Sequence, residues 1–461
     1  MTDVIRYYVV LRAKDKTTKD AYEDPDPKAI SDIISQAVYG REFDEPPFAV
    51  RARPSHPVSS TFDQGDLFDK LDRLVVALDV TGGGGKLSRE VVKDFIAAVE
   101  KKPDVFAGSS PDLTFNSTDH WCIGEEADPI FSDRTAAERT VGIDYLRTKP
   151  GTDGQGVNVV IVDQGLVSAE LGSSYGGGWS VGLNIAGQPT PQPGTVRPAH
   201  GMMIANNILK VAPQAKLFDL PMVPPFQIPN MQSFLSTANA AYLYMLLSIS
   251  ALKLGQFPGP WILVNPWGIF SRKTEIPLGH YTQNPASPFN VDVASAVTQN
   301  IDVLFAAGNC GQFCPDRRCG GLDRGPTRSI WGANSLKDVL TVGAVRADDM
   351  WLGYSSQGPG QKYLGGAKPD FCATSQFCED DDGFNINTGT SAATGLTAGV
   401  IAALRSRWNP ATVSPQALQQ ILNQTARRPI GVPWTNAMRH RLGHGVLDAR
   451  AAYDQLLSQY P

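Results

Sequence analysis

Residues 387–404 read NTGTSAATGLTAGVIAAL, and the reading of this stretch decides how the rest of the chain is organised. Asn387, Thr388, Gly389 and Thr390 are small and turn-prone, one serine follows at Ser391, and the run then becomes apolar. The pattern predicts a turn feeding a buried helix that carries a hydroxyl near its start. Asn387, Thr388 and Thr390 suit a helix cap, and Gly389 can take backbone shapes that other residues avoid. A hydroxyl held there lies beside backbone N–H groups that lack helical acceptors and at the positive end of the helix dipole, which favours developing negative charge. Such a serine is a plain helix cap unless the chain also supplies a base.

Outward from this stretch, the chain after Gly156 alternates between two patterns. VNVVIVDQG (157–165), AKLFDLPMV (215–223), WILVNPWG (261–268), IDVLFAAGNCG (301–311) and VLTVGAV (339–345) are apolar runs of strand length. Between them His200–Val211, Phe234–Leu254 and Val291–Thr298 have helical character. Strands alternating with helices predict an α/β fold, a mostly parallel sheet flanked by helices. Ligands in such sheets bind at the carboxyl ends of the strands, where the unusual residues of this sequence fall.

The first 110 residues or so follow another order. YYVVL (7–11) reads as a strand, KAISDIISQAV (28–38) as a helix with Ile30, Ile33, Ile34 and Val38 on one face, and LVVALDV (74–80) as a strand. SREVVKDFIAAVEKK (88–102) is a second helix with Ser88 as candidate cap, and DVFAGSSPDL (104–113) returns as a strand. This β-α-β-β-α-β order predicts a small α+β, ferredoxin-like domain over 1–115. The polar stretch from Pro111 to Gln155, with short helical pieces such as TAAERTVGIDYL, reads as the link, so that 116–155 joins the small domain to a large one over 156–461. The run TGGGGK (81–86) lacks the Ser or Thr that a phosphate loop needs after its lysine, since Leu87 follows, and reads as a turn.

A chain of 461 residues with 42% hydrophobic and 19% charged side chains is globular and long enough for two cores. A net charge of -5, without basic clusters interleaved with aromatics, argues against a nucleic-acid partner. The N-terminus does not read as a secretory signal. The apolar stretch Ala238–Leu254 carries Asn239, two tyrosines, two serines and Lys253 and reads as a packed helix rather than a membrane span, so the expected location is cytoplasmic, with export by another route as the alternative. Free thiols are then the default for the six cysteines, and the spacing of Cys310, Cys314 and Cys319, with no histidine near, is a poor zinc pattern.

Asp163 closes a strand, and His200 opens a helix in PAHGMMIANNIL. Read singly, the first is a loop cap and the second a structural histidine. An Asp, a His and a Ser in this order, each beside a glycine at an element boundary, match one known arrangement of a nucleophilic triad. On these motifs the chain resembles the subtilisin-like serine peptidases, the subtilases, from about Gly156 to Tyr453. VVIVDQG resembles the family's aspartate motif with Gln164 where Thr or Ser is usual, and AHGMMIANNI its histidine motif with Met202 for Thr. The serine motif carries Ala392 for the usual Met and Gly395 for the usual Pro.

The resemblance implies a serine endopeptidase acting on protein or peptide substrates, with Ser391 as nucleophile, His200 as base and Asp163 as its orienter. FAAGNCG (305–311) resembles the turn that carries the family's oxyanion-hole asparagine, here Asn309. WILVNPWG and FAAG resemble the two segments that line its groove, which assigns Trp267, Gly268, Ala306, Ala307 and Gly308 to substrate binding, with Trp267 narrowing the first pocket or lying in the core. RLGHGVLDARAAYDQLL (441–457) resembles the family's closing segment, and His440 and His444 read as structural. The three cysteines of CGQFCPDRRCGGLDRG (310–325) follow Asn309 directly, and a local disulfide or thiol cluster shaping the groove is preferred to a metal. No cofactor is required; the acid run Glu379–Asp382 could hold a structural calcium, as many subtilases do, although it lacks alternating ligand spacing. Residues 1–115 are expected to act as an inhibitory or chaperoning propeptide, with cleavage between Pro111 and Arg139. The alternatives are a catalytically silent subtilase-fold binding protein and a nucleotide-binding α/β protein, the latter weakened by the lack of GxGxxG after the first strand.

Overall fold

The structure, a computed structural model, describes residues 4–24, 26–43, 46–51, 58–64, 67–81, 87–118, 132–181, 192–195, 199–223, 233–379 and 386–461. The glycine run 82–86, Cys122 and the acid residues 380–382 lie outside them.

Seven parallel strands form the central sheet, in the order Phe371–Thr374, Leu340–Val345, Ile301–Ala306, Trp261–Asn265, Asn158–Asp163, Lys216–Pro221, Tyr175–Val181. The strands Asn158–Asp163, Trp261–Asn265, Ile301–Ala306 and Leu340–Val345 are buried along their whole length. Helices cover both faces of the sheet, and for that reason these strands read as unbroken apolar runs rather than alternating ones. The helices Ala199–Val211, Leu235–Lys253 and Pro288–Thr298 fall where the sequence predicts them. Among the described residues Leu235–Lys253 alone is long and apolar enough to cross a membrane, and its extensive burial here is that of a core helix.

Every residue of the helix Gly389–Arg405 is buried. It packs against Ala199–Val211 through small residues: a Cβ built on Gly399 would lie 2.8 Å from the Val211 Cβ, and one on Gly395 would lie 3.1 Å from the Asn207 Cβ. The glycine that replaces proline at 395 therefore lets two helices approach closely, and the helix runs through it unbroken. At its far end Arg405, itself buried, is held by two 2.6 Å bonds to Asp302 on a central strand.

The N-terminal region carries a four-stranded antiparallel sheet in the order Phe48–Val50, Arg73–Val80, Ile5–Arg12, Phe106–Pro111, covered by the helices Lys16–Glu23, Lys28–Tyr39 and Ser88–Glu100. This is the ferredoxin-like order expected, with an extra helix. Both faces of its first strand are buried. Tyr7, Val9 and Leu11 face the region's own helices, while Tyr8 and Val10, with Val75, join Tyr242, Phe289 and Ala296 in a core shared with the parallel sheet. Arg73 pairs with Asp292 at 2.6 Å across this junction, and the Asp112 carboxylate accepts from Ser236 and from Arg51.

Two segments depart from the expected plan. Thr114–Ser117, inside the stretch read as a link, is a strand that pairs antiparallel with Trp267–Gly268 and with Ser233–Phe234. Val58–Ser60 leaves the N-terminal region and adds an eighth, antiparallel strand to the edge of the parallel sheet beside Tyr175–Val181. Neither could be read locally, because each is a strand only by virtue of a distant partner.

Candidate active site

Asp163 ends its strand aligned with Pro221 on the neighbouring strand, and its backbone oxygen accepts from the N–H groups of Met222 and Val223. The carboxylate is fully buried, and its Oδ2 lies 2.6 Å from Nδ1 of His200, itself 4% exposed. The spacing between the two residues is set by backbone. A Cβ on Gly201 would fall 2.0 Å from the Gly165 oxygen, so the start of the histidine helix rests directly on the turn that follows Asp163.

Ser391 is the third residue of the helix Gly389–Arg405, and Gly389 enters it at a φ of 71° that favours glycine. The position leaves the Ser391 N–H among those without an acceptor inside the helix. Its hydroxyl lies 3.1 Å from the Pro266 oxygen, to which it donates, and 2.7 Å from Oγ1 of Thr118.

Asn309 follows the strand Ile301–Ala306 in a tight turn. Its Oδ1 accepts from the backbone N–H and the hydroxyl of Thr390, at 3.1 and 2.9 Å. With the oxygen so occupied, the orientation of the amide is fixed by its partners, and Nδ2 donates to the Thr118 carbonyl at 2.5 Å.

Thr118 was not anticipated from the sequence, and it organises the site. The strand Thr114–Ser117 enters along Trp267–Gly268, the Thr118 N–H donates to the Pro266 oxygen at 3.0 Å, and the Thr118 carbonyl ends on Asn309. An extended segment of this chain thus lies as an added strand along Trp267–Gly268, with the Thr118 carbonyl at the asparagine and the Thr118 hydroxyl beside the serine. Gln164, in place of the Thr or Ser expected, reaches Ser117 of the same segment at 3.4 Å.

Gly268, Ala307 and Gly308 line the pocket at Thr118, together with Phe270, Ser329 and Trp331. Ala306 lies one residue behind, its oxygen accepting from Asn334. The Trp267 indole does not line the pocket; it is fully buried against Phe289, Phe305 and Phe115 of the added strand, whose backbone its own backbone pairs with. The aromatics that line the pocket are Phe270 and Trp331, with Arg272 stacked on the Trp331 ring at 4.0 Å. About 10 Å³ of free space remains beyond Thr118, room for one water.

A disulfide joins Cys310 to Cys319, and Cys314 is disulfide-bonded as well, so the default of free thiols fails in this loop, whereas Cys372 and Cys378 are buried thiols. The bridge clips the insertion to the residue after Asn309. The Cys310 N–H also donates to the Ser356 hydroxyl at 3.1 Å, and Gly320 N–H to the Phe270 oxygen at 2.9 Å. Of the acid run, Glu379 is described. Hydrogen bonds from Arg134, Lys210 and Asn387 outweigh its burial and hold its carboxyl at about 2. No group of three or more His, Cys, Asp or Glu among the described residues is arranged to hold a metal. His440 and His444 lie instead at a separate surface cleft with Arg428, Arg439 and Trp434.

A second carboxyl stands behind the first. Asp219 is buried on the strand next to Asp163, and its Oδ2 accepts from Leu166 and Gly194 at 3.0 and 2.8 Å. Burial raises it to about 7 against those two N–H groups, and the charge of Asp163 adds to the rise.

A family model described as the subtilase family matches residues 154–446. Fervidolysin from Fervidobacterium pennivorans, a keratinolytic enzyme related to subtilisin, aligns over 98% of this chain and 61% of its own, with a TM-score of 0.56 at 14% identity. A cold adapted subtilisin-like serine proteinase aligns over 64% of this chain and 90% of its own, with a TM-score of 0.45 at 19% identity. At these identities the likeness concerns the fold alone. No curated protein matches the chain.

Proposed function

The chain belongs to the subtilase family, and on that premise we propose that it is a serine endopeptidase made with its own N-terminal region as an inhibitor. The observation that carries this reading is Thr118, whose carbonyl accepts from Asn309 and whose hydroxyl lies 2.7 Å from that of Ser391.

In this reading Ser391 attacks a peptide carbonyl carbon while His200 Nε2 takes its proton, and Asp163 holds the ring through Nδ1 and stabilises the imidazolium. The oxygen that gains charge is met by Asn309 Nδ2 and the Ser391 N–H, donors already in place before the charge develops. The tetrahedral intermediate then collapses, His200 returns the proton to the leaving amine, and an acyl-enzyme on Ser391 is released by water. With Thr118 seated, the Ser391 hydroxyl lies within hydrogen-bond distance of both the Pro266 oxygen and the Thr118 hydroxyl.

The bond at risk within the chain is the one between Thr118 and Asp119, inside the interval Pro111–Arg139 expected for processing. The pocket around Thr118 favours small side chains on the acyl side of the cut. The Cys310–Cys319 bridge favours an oxidising compartment, which weighs for export over the cytoplasm. Labelling with a fluorophosphonate probe tests the reading: Ser391 should be modified once the groove is cleared, and no labelling of the cleared protein would undo the peptidase assignment in favour of a silent binding protein.

A further inference from the structure

The groove strand is not the whole attachment of the N-terminal region: besides the shared core and the Arg73–Asp292 pair, a second strand joins it to the parallel sheet. At the edge of the parallel sheet, Ser59 pairs with Ser180 and Ser60 with Trp179, and the Thr61 N–H donates to the Gly178 oxygen at 3.0 Å. The Gly178 N–H donates back to the Thr61 hydroxyl at 2.9 Å. Next along the chain, the Phe62 ring lies 5.4 Å from that of Trp179, 6.0 Å from Phe218 and 6.2 Å from Phe257. Gln64 then exchanges two hydrogen bonds with Ser248, at 3.1 Å to its backbone oxygen and 2.6 Å from its hydroxyl.

The receiving strand YGGGWSV is shaped for this segment. Gly177 has a φ of 119°, and a Cβ there would lie 2.6 Å from the Thr61 hydroxyl and 2.8 Å from the Phe62 ring. Trp179, fully buried in the joined structure, would lose an aromatic neighbour without Phe62. Without residues 58–60 the sheet would end in an open row of unpaired N–H and C=O groups, the kind of edge that proteins cover. The edge is therefore built to be closed, and the segment of this chain that closes it belongs to the N-terminal region.

We propose that residues 58–64 are a permanent anchor, and that the N-terminal region stays on the sheet edge as a second subunit after the chain is cut and the groove strand has left. The proposal rests on the reading of that region as an inhibitor, and adds that clearing the groove needs only residues 114–118 to move. The partner that the edge recognises is an extended strand followed by an aromatic wedge and an amide side chain.

The test separates the anchor from self-cleavage. In the full chain carrying Ser391→Ala, a recognition site for a foreign site-specific protease is inserted within 119–131 and then cut. The two fragments should co-elute on size exclusion, and should still do so with Thr118→Pro, which removes the N–H that the groove strand donates to the Pro266 oxygen. Phe62→Ala combined with Gln64→Ala should weaken the association by about thirtyfold, the loss of one hot-spot aromatic. Amide exchange of the severed parent supplies a readout that needs no folded variant: the Thr61 and Gly178 amides should stay as protected as in the uncut chain. Separation of the severed parent fragments, rapid exchange at those two amides, or release by Thr118→Pro as complete as by the double variant would each overturn the anchor. None of these outcomes bears on whether Ser391 is a nucleophile, which the probe decides separately.

Discussion

The Asn309 amide donates to the carbonyl oxygen of Thr118 while its own oxygen is pinned by both donors of Thr390, so one side chain ties the serine helix to the bond at risk. Asn309→Ala should lower kcat by about 10²–10³ with little change in KM, because the donor acts on charge that exists only in the transition state. That range was set by the equivalent donor of subtilisin itself. Steady-state kinetics on a small peptide amide would check it, and a loss confined to KM would contradict the role.

Purified wild-type protein should carry a break between Thr118 and Asp119, and Ser391→Ala should remain intact. Intact-protein mass spectrometry reads the two fragment masses directly. If both proteins keep full-length masses that differ only by the substitution, self-processing does not occur.

Trp331 lines the pocket at Thr118. Cleavage of a peptide series should favour Ala, Ser, Thr or Val on the acyl side, and Trp331→Gly should raise kcat/KM for Leu and Phe there by at least about tenfold, since even one methylene that fits or fails to fit is worth that much. An unchanged preference in the variant would mean that the pocket is bounded elsewhere.

Asp219 predicts a pH dependence of stability. Its folded value, about 7, is above the ordinary 3.8, so the folded state holds the proton more tightly than the unfolded state. The stability tied to this group is complete below about 4, declines as the pH rises, and is fully lost above about 7. Asp219→Asn keeps an oxygen for the Leu166 and Gly194 N–H groups and has no proton to lose. Its melting temperature, measured in the Ser391→Ala background, should gain on the parent between pH 5 and 7 and hold the gain above, the full difference being at most about 4 kcal/mol. Melting curves that shift in parallel at every pH would rule the account out.

Asp163, His200 and Ser391 were legible because each sits where an apolar run ends or begins beside a glycine, a local signal. The buried strands were legible for the same reason, as uninterrupted apolar runs. Thr118 was not. Nothing in the polar stretch around it marks a strand, and its backbone partner Pro266 lies 148 residues away in the chain. The place of Trp267 was not legible either, because its ring packs on Phe115, which belongs to that same unmarked strand.

The anchor at Val58–Ser60 also changes the arithmetic of inhibition. While Thr114–Thr118 is tethered at both ends, it competes for the groove at the local concentration of its own tether, in the millimolar range for short links. Cutting one end of an unanchored inhibitor would expose it to dilution. With the other end still held on the sheet, the severed strand remains a neighbour rather than a solute, and diluting the enzyme will not switch it on. Activity then requires that the strand itself be destroyed or outcompeted, which makes its removal, rather than its release, the step that sets the timing.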